Sequence, residues 1–571
     1  AAAAPAADPA PGPGAPAPAT AAGAPAATAA GEPAGAPAVA PLSLPDAFTA
    51  HARTRPHAPA LLWHEHSVSY GELAALADAE RARLAALDLA PGEPVGLLAV
   101  KSPAAIALVL ACLLERRPFL LPSPQLAPAL LAALFAQAGA RRLLTPRGQD
   151  APALPAPAPA APVPTLAAGT SFLLTTSGST GLPKIVPLAQ GAVDRFTAWA
   201  HDTFDLGPGR TVANYAPLNF DLALLDVWAT LAAGGTCLLI DPAHALNARH
   251  LLAQLTRHRP HVLQAVPLAY ALLVQAAGPG TVLDSVEHAA FTGDAIDART
   301  LAALPALLPA ARLYNVYGCT ETNDSFLHRL DRLDAAAALP VPIGSPLPGV
   351  RTLIAAPDGT AVHGAGSGEL YVSTPFQAAG YLDRSRDAGR FTTRPEGAGT
   401  GRRWFRTGDL VTRDEQGRVH LTGRADFQVK VRGVAVNTAE VERVLLAHPE
   451  VREAAVAAAP DPLTGKRLHA AVQRAPGSRL NTLTLREHLA RNLPRAAVPD
   501  KLAVHDAPLP KTATGKVDRK AVLPPPPPEP APAAAPEPAA ASAFEPAPAA
   551  APAAAAPASA SAAAPEPASA P

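Results

Sequence analysis

The sequence predicts an α/β protein built on largely parallel sheets. Short apolar runs of strand length alternate with longer segments of helical periodicity, the rhythm of repeated strand–helix units. One strand runs directly into a loop rich in glycine and hydroxyl residues, Thr175 to Lys184, the place where such folds bind anions. The 571 residues also exceed what a single hydrophobic core organises.

Residues 1–42 are almost all Ala, Pro and Gly. Ordering each residue costs ~1–2 kcal/mol of backbone entropy, and no large side chains offset it, so this tail is expected to be disordered. The body begins near residue 43. Gly71 to Ala86 reads as a helix, Val95 to Val100 as a buried strand, and Pro103 to Leu114 as the helix that follows. Arg141 to Leu144 and Ser171 to Thr175 read as short strands, separated by an Ala-Pro stretch, 151–164, expected to loop over the surface. Leu222 to Ala233 reads as a further helix. From Pro524 a proline run and Ala-Pro-Glu repeats form a second expected disordered tail, 524–571.

Lys plus Arg and Asp plus Glu both number 47, so the net charge is zero and there is no basic footprint for nucleic acid or an anionic membrane. The longest apolar run, Ala104 to Leu114, is far short of the ~20 residues of a membrane span. The first forty residues carry no Lys or Arg, hence no basic signal-peptide region. A soluble, cytoplasmic protein is expected. Cys112, Cys237 and Cys319 are too dispersed for a metal or redox pair and read as free thiols.

The most informative segment is the loop Thr175-Thr176-Ser177-Gly178-Ser179-Thr180-Gly181-Leu182-Pro183-Lys184. Gly178 and Gly181 let the backbone turn tightly and bring N–H groups near a phosphate. Thr176, Ser177, Ser179 and Thr180 add hydroxyl donors, and Lys184 adds a point charge. A flexible polar surface loop is the alternative, but such loops rarely combine a strand, hydroxyls, paired glycines and a terminal lysine. The spacing is not that of a Walker A motif.

With its companions this loop resembles the adenylate-forming superfamily of acyl-CoA ligases, luciferases and peptide-synthetase adenylation domains. The resemblance spans roughly 43–523 and is closest to stand-alone amino acid–carrier protein ligases. Val68-Ser69-Tyr70-Gly71-Glu72-Leu73, Tyr317-Gly318-Cys319-Thr320-Glu321, Gly368-Glu369-Leu370, Phe405-Arg406-Thr407-Gly408-Asp409-Leu410, Gly423 to Gly433 and Thr514-Gly515-Lys516 follow in the family's order. The resemblance implies a large N-terminal adenylation domain, 43–425, and a small mobile α+β C-terminal domain, 426–523, hinged at Asp426. It also implies ATP and Mg²⁺ as cofactors. Glu321 would help hold Mg²⁺, Thr320 would contact the α-phosphate, and Asp409 would accept the ribose hydroxyls. Asn315, Tyr317 and Gly318 would border the adenine, with Arg424 on the nucleotide. Lys516 would be the catalytic cation bridging substrate carboxylate and α-phosphate. Lysine is scarce here, about eight residues, yet Lys184, Lys430 and Lys516 all sit inside motifs.

In amino-acid-activating members an Asp of a Phe-Asp pair holds the substrate ammonium, and Asp221 of Asn219-Phe220-Asp221-Leu222-Ala223 fits. The alternative is an Asp that only caps the next helix. The implied side-chain pocket comprises Leu222, Leu225, Gln264, Ala290, Thr292, Val316, Asp324 and Ser325. Its leucines suit a compact neutral substrate such as alanine or proline; Asp324 suits a second cationic or hydroxyl group. Ala379, Ala435, Asn437 and the segment Leu493 to Pro499 depart from the family pattern, which puts the packing of the small domain in question. The expected reaction is carboxylate activation as acyl-AMP with release of pyrophosphate. Transfer to the phosphopantetheine thiol of a separate carrier protein, working in trans, would follow. An acyl- or aryl-CoA ligase and a non-catalytic nucleotide-binding protein are the alternatives.

Overall fold

A computed structural model describes residues 43–150, 165–176, 182–330, 340–393, 402–425, 428–461, 465–510, 517 and 519. Both tails, the 151–164 stretch, the loop positions 177–181, Asp426 and Lys516 lie outside them.

The architecture is α/β. A nine-stranded sheet carries six adjacent parallel strands in the spatial order Arg312–Cys319, His288–Thr292, Val262–Ala265, Thr211–Asn214, Thr236–Leu239, Pro59–Trp63. A five-stranded sheet places Val95–Leu97 between Leu143–Leu144 and Phe119–Leu120, all parallel, then Thr170–Thr176 and, antiparallel, Lys184–Ala189. The expected strands are there: Val95–Leu97 and Leu143–Leu144 are shorter than expected, and Thr170–Thr176 is longer by one residue at each end. The helix Pro103–Leu114 forms as read. Ser102 caps it by accepting the Ala105 N–H, Pro103 opens it, and the run Ala105 to Leu113 is buried all round. A helix apolar on every face belongs between layers, where each large aliphatic side chain contributes ~1.5–3 kcal/mol.

A third sheet is antiparallel and went unseen in the sequence, because its strands mix polar and apolar residues without an apolar run or a regular alternation. Gly366–Ser373 pairs with Arg351–Ala355 and with Trp404–Arg413, and the latter also pairs with Val419–Arg424. Beyond it, the hairpin Gln428–Val431/Val434–Asn437 precedes Thr438–Leu446, Val451–Asp461, Gly465–Arg474, Thr482–Asn492 and Lys501–His505. These elements share their own core of Val431, Val436, Val441, Leu445, Val456, Leu468, Leu485 and Leu489.

The departures from the family pattern leave that core closed. Ala435 and Asn437 pair in regular register with Lys430 and Gln428, and Leu493 and Ala497 are buried in it. The segment expected to be an α-helix, Leu222 to Ala233, is a correction. Leu224–Ala229 is π-helical and only Thr230–Ala233 is α-helical. The cause is tertiary: Asp226 in the wide turn is held by side chains of the adjacent sheet. The three cysteines are free thiols. No helix among the described residues is long and apolar enough to cross a membrane.

Candidate active site

In open parallel sheets, ligands sit beyond the carboxyl ends of the strands. The residues singled out in the sequence gather there, and strand register explains how. Asn214, Gln264, Ala290 and Tyr314 are successive partners across four strands, and Thr292 pairs with Val316 one step further on. Side chains two apart share a face, so Gln264, Ala290, Thr292 and Val316 line one side of the sheet. The flanking residues Ala289, Phe291 and Leu313 enter a separate core on the other side. Leu225, Gln264, Ala290, Thr292, Val316 and Ser325 are all buried, whereas Asp221, Leu222 and Asp324 are half-buried at the rim. Leu225, Ala290 and Val316 give the wall an apolar part, Gln264, Thr292 and Ser325 a polar one, and the rim carries two acids. The Ser325 hydroxyl is committed locally, to the Asn323 carbonyl and the Thr322 hydroxyl, both at 3.2 Å.

Asp221 does not act as a helix cap of the usual kind. Its carboxylate accepts the adjacent Leu222 N–H (3.1 Å), and Ala223 occupies the cap position without a side-chain bond. It faces Thr320 instead, whose hydroxyl bonds to it. Burial raises the Asp221 pKa; the Thr320 bond and the Lys430 charge work against that rise. Asp324 stands close enough to matter: burial, and then the charge of Asp221, push its pKa up to about 7.

A second constellation joins elements far apart in sequence. Tyr381 donates to Glu321 Oε1 at 2.7 Å, the Thr176 hydroxyl lies 3.5 Å from the same oxygen, and Lys184 Nζ donates to the Tyr381 hydroxyl at 3.4 Å. The ammonium also sits 4.8 Å from the centre of that ring, within cation–π range. Glu321 and Lys184 are both buried. Tyr381 was not among the residues expected in the site. Its only trace in the sequence was its position in Gly380-Tyr381-Leu382.

The third constellation centres on Asp409, which pairs across the antiparallel ladder with Arg424. Arg424 donates to Asp409 Oδ1 (2.6 Å) and to the Thr407 carbonyl (3.0 Å), while the Tyr317 hydroxyl donates to Asp409 Oδ2. Burial and the neighbouring Asp409 charge keep the Tyr317 phenol protonated, well above its ordinary pKa. Asn315 donates to the Pro342 carbonyl at 2.8 Å, which orients its amide beside this group. Gly318 is required where the strand turns: a Cβ there would lie 2.4 Å from the Asn323 carbonyl oxygen.

The hairpin turn Arg432–Gly433 closes over the same end of the sheet. Gly433 has φ +81°, and a Cβ on it would lie 2.5 Å from Val266, the residue after the strand Val262–Ala265. This contact brings Lys430 near Asp221. The assignments to Ser177, Gly178, Ser179, Thr180, Gly181, Asp426 and Lys516 fall outside the described residues.

Comparison with known proteins agrees with this arrangement. Residues 48–382 match the family model described as AMP-binding enzyme, and residues 440–516 match AMP-binding enzyme C-terminal domain. The chain is 34% identical over 364 residues to an L-proline–[L-prolyl-carrier protein] ligase of Pseudomonas fluorescens, covering 63% of this chain and 70% of that one. It is 36% identical over 350 residues to a protein of the same name from Streptomyces coelicolor, covering 61% and 64%. Among solved structures, amide bond synthetase McbA from Marinactinospora thermotolerans superposes with a TM-score of 0.72 at 26% identity, covering 84% of this chain and 98% of that one. An NRPS protein containing adenylation and PCP domains, bound to a vinylsulfonamide inhibitor, gives 0.72 at 25% identity, covering 84% and 83%. With two family models matched in order on the elements that build the site, the chain belongs to the AMP-binding enzymes, the adenylate-forming ligases.

Proposed function

We propose that this chain activates a small neutral amino acid, L-proline foremost, as its aminoacyl-adenylate and passes it to the phosphopantetheine thiol of a carrier protein. The observation that carries the reading is the convergence of three groupings at one end of the sheet. These are Asp221 with Thr320, Glu321 with Tyr381 and Lys184, and Asp409 with Tyr317 and Arg424.

Each grouping suits one requirement of carboxylate activation. A carboxylate oxygen of the substrate attacks the α-phosphorus of ATP, the bond to the β-phosphate oxygen breaks, and pyrophosphate leaves. Asp409, with Tyr317, Asn315 and Arg424 around it, holds the nucleoside end. Lys184 and the hydroxyls of the glycine loop hold the departing phosphates. Glu321 fits Mg²⁺, which commonly takes one or two carboxylates and completes its shell with phosphate oxygens and water. Among the described residues no cluster of three metal-ligating side chains exists, as that mode of binding allows. The metal, when bound, offsets the negative charge of the phosphates. Tyr381 orients Glu321, Thr320 reaches toward the α-phosphate, and Lys516 is the bridging cation. Asp221 fixes the substrate ammonium and so aims the carboxylate. In the second step the carrier thiol attacks the acyl carbonyl and AMP leaves. The Lys430–Gly433 turn, seated against Val266 with Lys430 near Asp221, supports that step, because a rotation about Asp426 would exchange this turn for the segment carrying Lys516.

The buried Leu225, Ala290 and Val316 beside Asp221 support a compact neutral side chain, and the ligases for L-proline at 34% and 36% identity point the same way. Exchange of pyrophosphate into ATP, screened over amino acids, aryl acids and fatty acids, tests the first step. Exchange is expected with proline and with none of the amine-free acids. Loading is then compared on holo-carriers and on coenzyme A. Thioester on a carrier is expected; thioester on coenzyme A alone would make this a CoA ligase.

Asp324 distinguishes a neutral from a basic substrate. Burial and the Asp221 charge raise its pKa to about 7, so it is mostly protonated below that pH and mostly charged above it. A carboxyl raised from 3.8 in the unfolded chain to about 7 in the fold weakens the fold as pH rises through that window. Asp324→Asn is therefore expected to raise the melting temperature at pH 8 more than at pH 5, with exchange on proline retained. A rise of tenfold or more in the KM for a basic amino acid would instead assign Asp324 to a substrate cation.

A further inference from the structure

Beneath the pocket lies a polar bed that the proposed reaction does not use. Asp226 is fully buried, and its carboxylate accepts from Gln264 Nε2 (3.0 Å) and from Asn214 Nδ2 (3.1 Å). Gln264 Nε2 also donates to the Leu222 carbonyl (3.2 Å), and Asn214 Nδ2 to the Ala216 carbonyl (3.1 Å). Lys101, buried as well, spends its ammonium on the Asn214, Tyr215 and Ala216 carbonyls at 3.0, 3.2 and 3.0 Å.

We propose that Asp226 is a positioning residue for substrate recognition: through Gln264 and Asn214 it fixes the π-turn and the preceding loop that carry Asp221 to the rim of the pocket. This rests on the reading of Asp221 as the ammonium partner.

Three features carry it. The bed ties both ends of the segment that bears Asp221. Lys101 and Asn214 hold its start at Ala216, and Gln264 and Asp226 hold its end at Leu222 and the π-turn. Asp221 itself has no sheet position, so its placement depends on that segment. Next, the arrangement is costly as a stability device. The amide oxygens Gln264 Oε1 and Asn214 Oδ1 are buried with no hydrogen-bond partner among the described residues, because both amides turn their N–H groups toward Asp226. Each orphaned acceptor forgoes a partner that an apolar replacement would not need. Finally, the π-helix is itself uncommon and turns up mostly at functional sites. Here its register follows from a carboxylate that must reach the sheet, and the extra residue in the turn re-aims the residues before it. Burial also pushes the Asp226 carboxyl well above its ordinary pKa, against the amide bonds from Asn214 and Gln264 and the Lys101 charge, which favour the carboxylate.

The test is a double-mutant cycle on the full chain, read as KM for the amino acid against KM for ATP in pyrophosphate exchange. Asp226→Asn turns an amide N–H toward one of the two donors that Asp226 now accepts. It is expected to raise the amino-acid KM fivefold or more while the KM for ATP stays within twofold. Asp226→Glu, which restores the acceptor, is expected to recover part of the loss. In an Asp221→Ala background, Asp226→Asn is expected to add little, because the group it positions is already gone. Additive effects in the cycle, or equal changes in both KM values, would overturn the proposal and leave Asp226 a structural acid. Should Asp226→Asn fail to fold, Asn214→Ser probes the same bed from its far side and the same cycle decides. Wild-type exchange confined to acids without an amine overturns the Asp221 reading and this one with it; proline exchange with no KM split overturns this one alone.

Discussion

Lys516→Ala is expected to lower pyrophosphate exchange at least about a hundredfold, ~3 kcal/mol in the barrier, while leaving ATP affinity little changed. Two anions, the substrate carboxylate and the α-phosphate, must meet before a bond can form. A flexible ammonium that contacts both offsets their repulsion, chiefly where charge is building in the transition state. The assignment rests on the motif Thr514-Gly515-Lys516 and on the match to the C-terminal family model, which runs to residue 516. The chain directly after it is anchored: Val517 packs on Ala455, Ala471 and Leu509, and Arg519 grips Glu442 with two bonds of 2.6 and 2.5 Å. The measurement is exchange rate alongside nucleotide binding in the purified variant. Near-wild-type exchange would remove Lys516 from catalysis.

Asp221→Ala has the second largest expected effect. The KM for the amino acid should rise roughly tenfold to a hundredfold, the range of ~1.5–3 kcal/mol for a hydrogen bond to a charged group, with the KM for ATP nearly unchanged. The separation follows from geometry. Asp221 stands with Thr320 and Asp324 at the pocket rim, whereas Asp409 and Arg424 pair on the third sheet, remote in sequence from it. Preference for an amino acid over its deamino analogue should fall by a similar factor. An unchanged preference would show that no ammonium is held there, and the acyl- or aryl-acid alternative would lead.

Much of the site was legible because the chemistry is local in sequence. Tyr317 to Glu321 follow one strand, Thr176 and Lys184 flank one loop, and Asp409 and Arg424 share one hairpin. Tyr381 was harder: its hydroxyl joins Lys184 to Glu321 across 197 and 60 residues of chain, and no local pattern encodes such a meeting. Asp226 was hidden by its own surroundings. A carboxylate inside an apolar run at helical spacing reads as a solvated face, and only its sheet partners make it a buried acid.

The sequence by itself determined the α/β class, the buried helix Pro103–Leu114 and the strands on either side of the loop between Thr176 and Lys184. Those features follow from apolar periodicity and from residue types that few other roles explain. Tertiary structure alone decided the antiparallel third sheet, the π-turn at Leu224–Ala229 and the gathering of Asp221 and Asp324 beside the buried Gln264, Ala290, Thr292 and Val316. The physical reason is the same in each case. Strand pairing, helical register and the charge state of a buried acid are set by groups brought together from distant parts of the chain, and a one-dimensional pattern holds no record of which groups those will be.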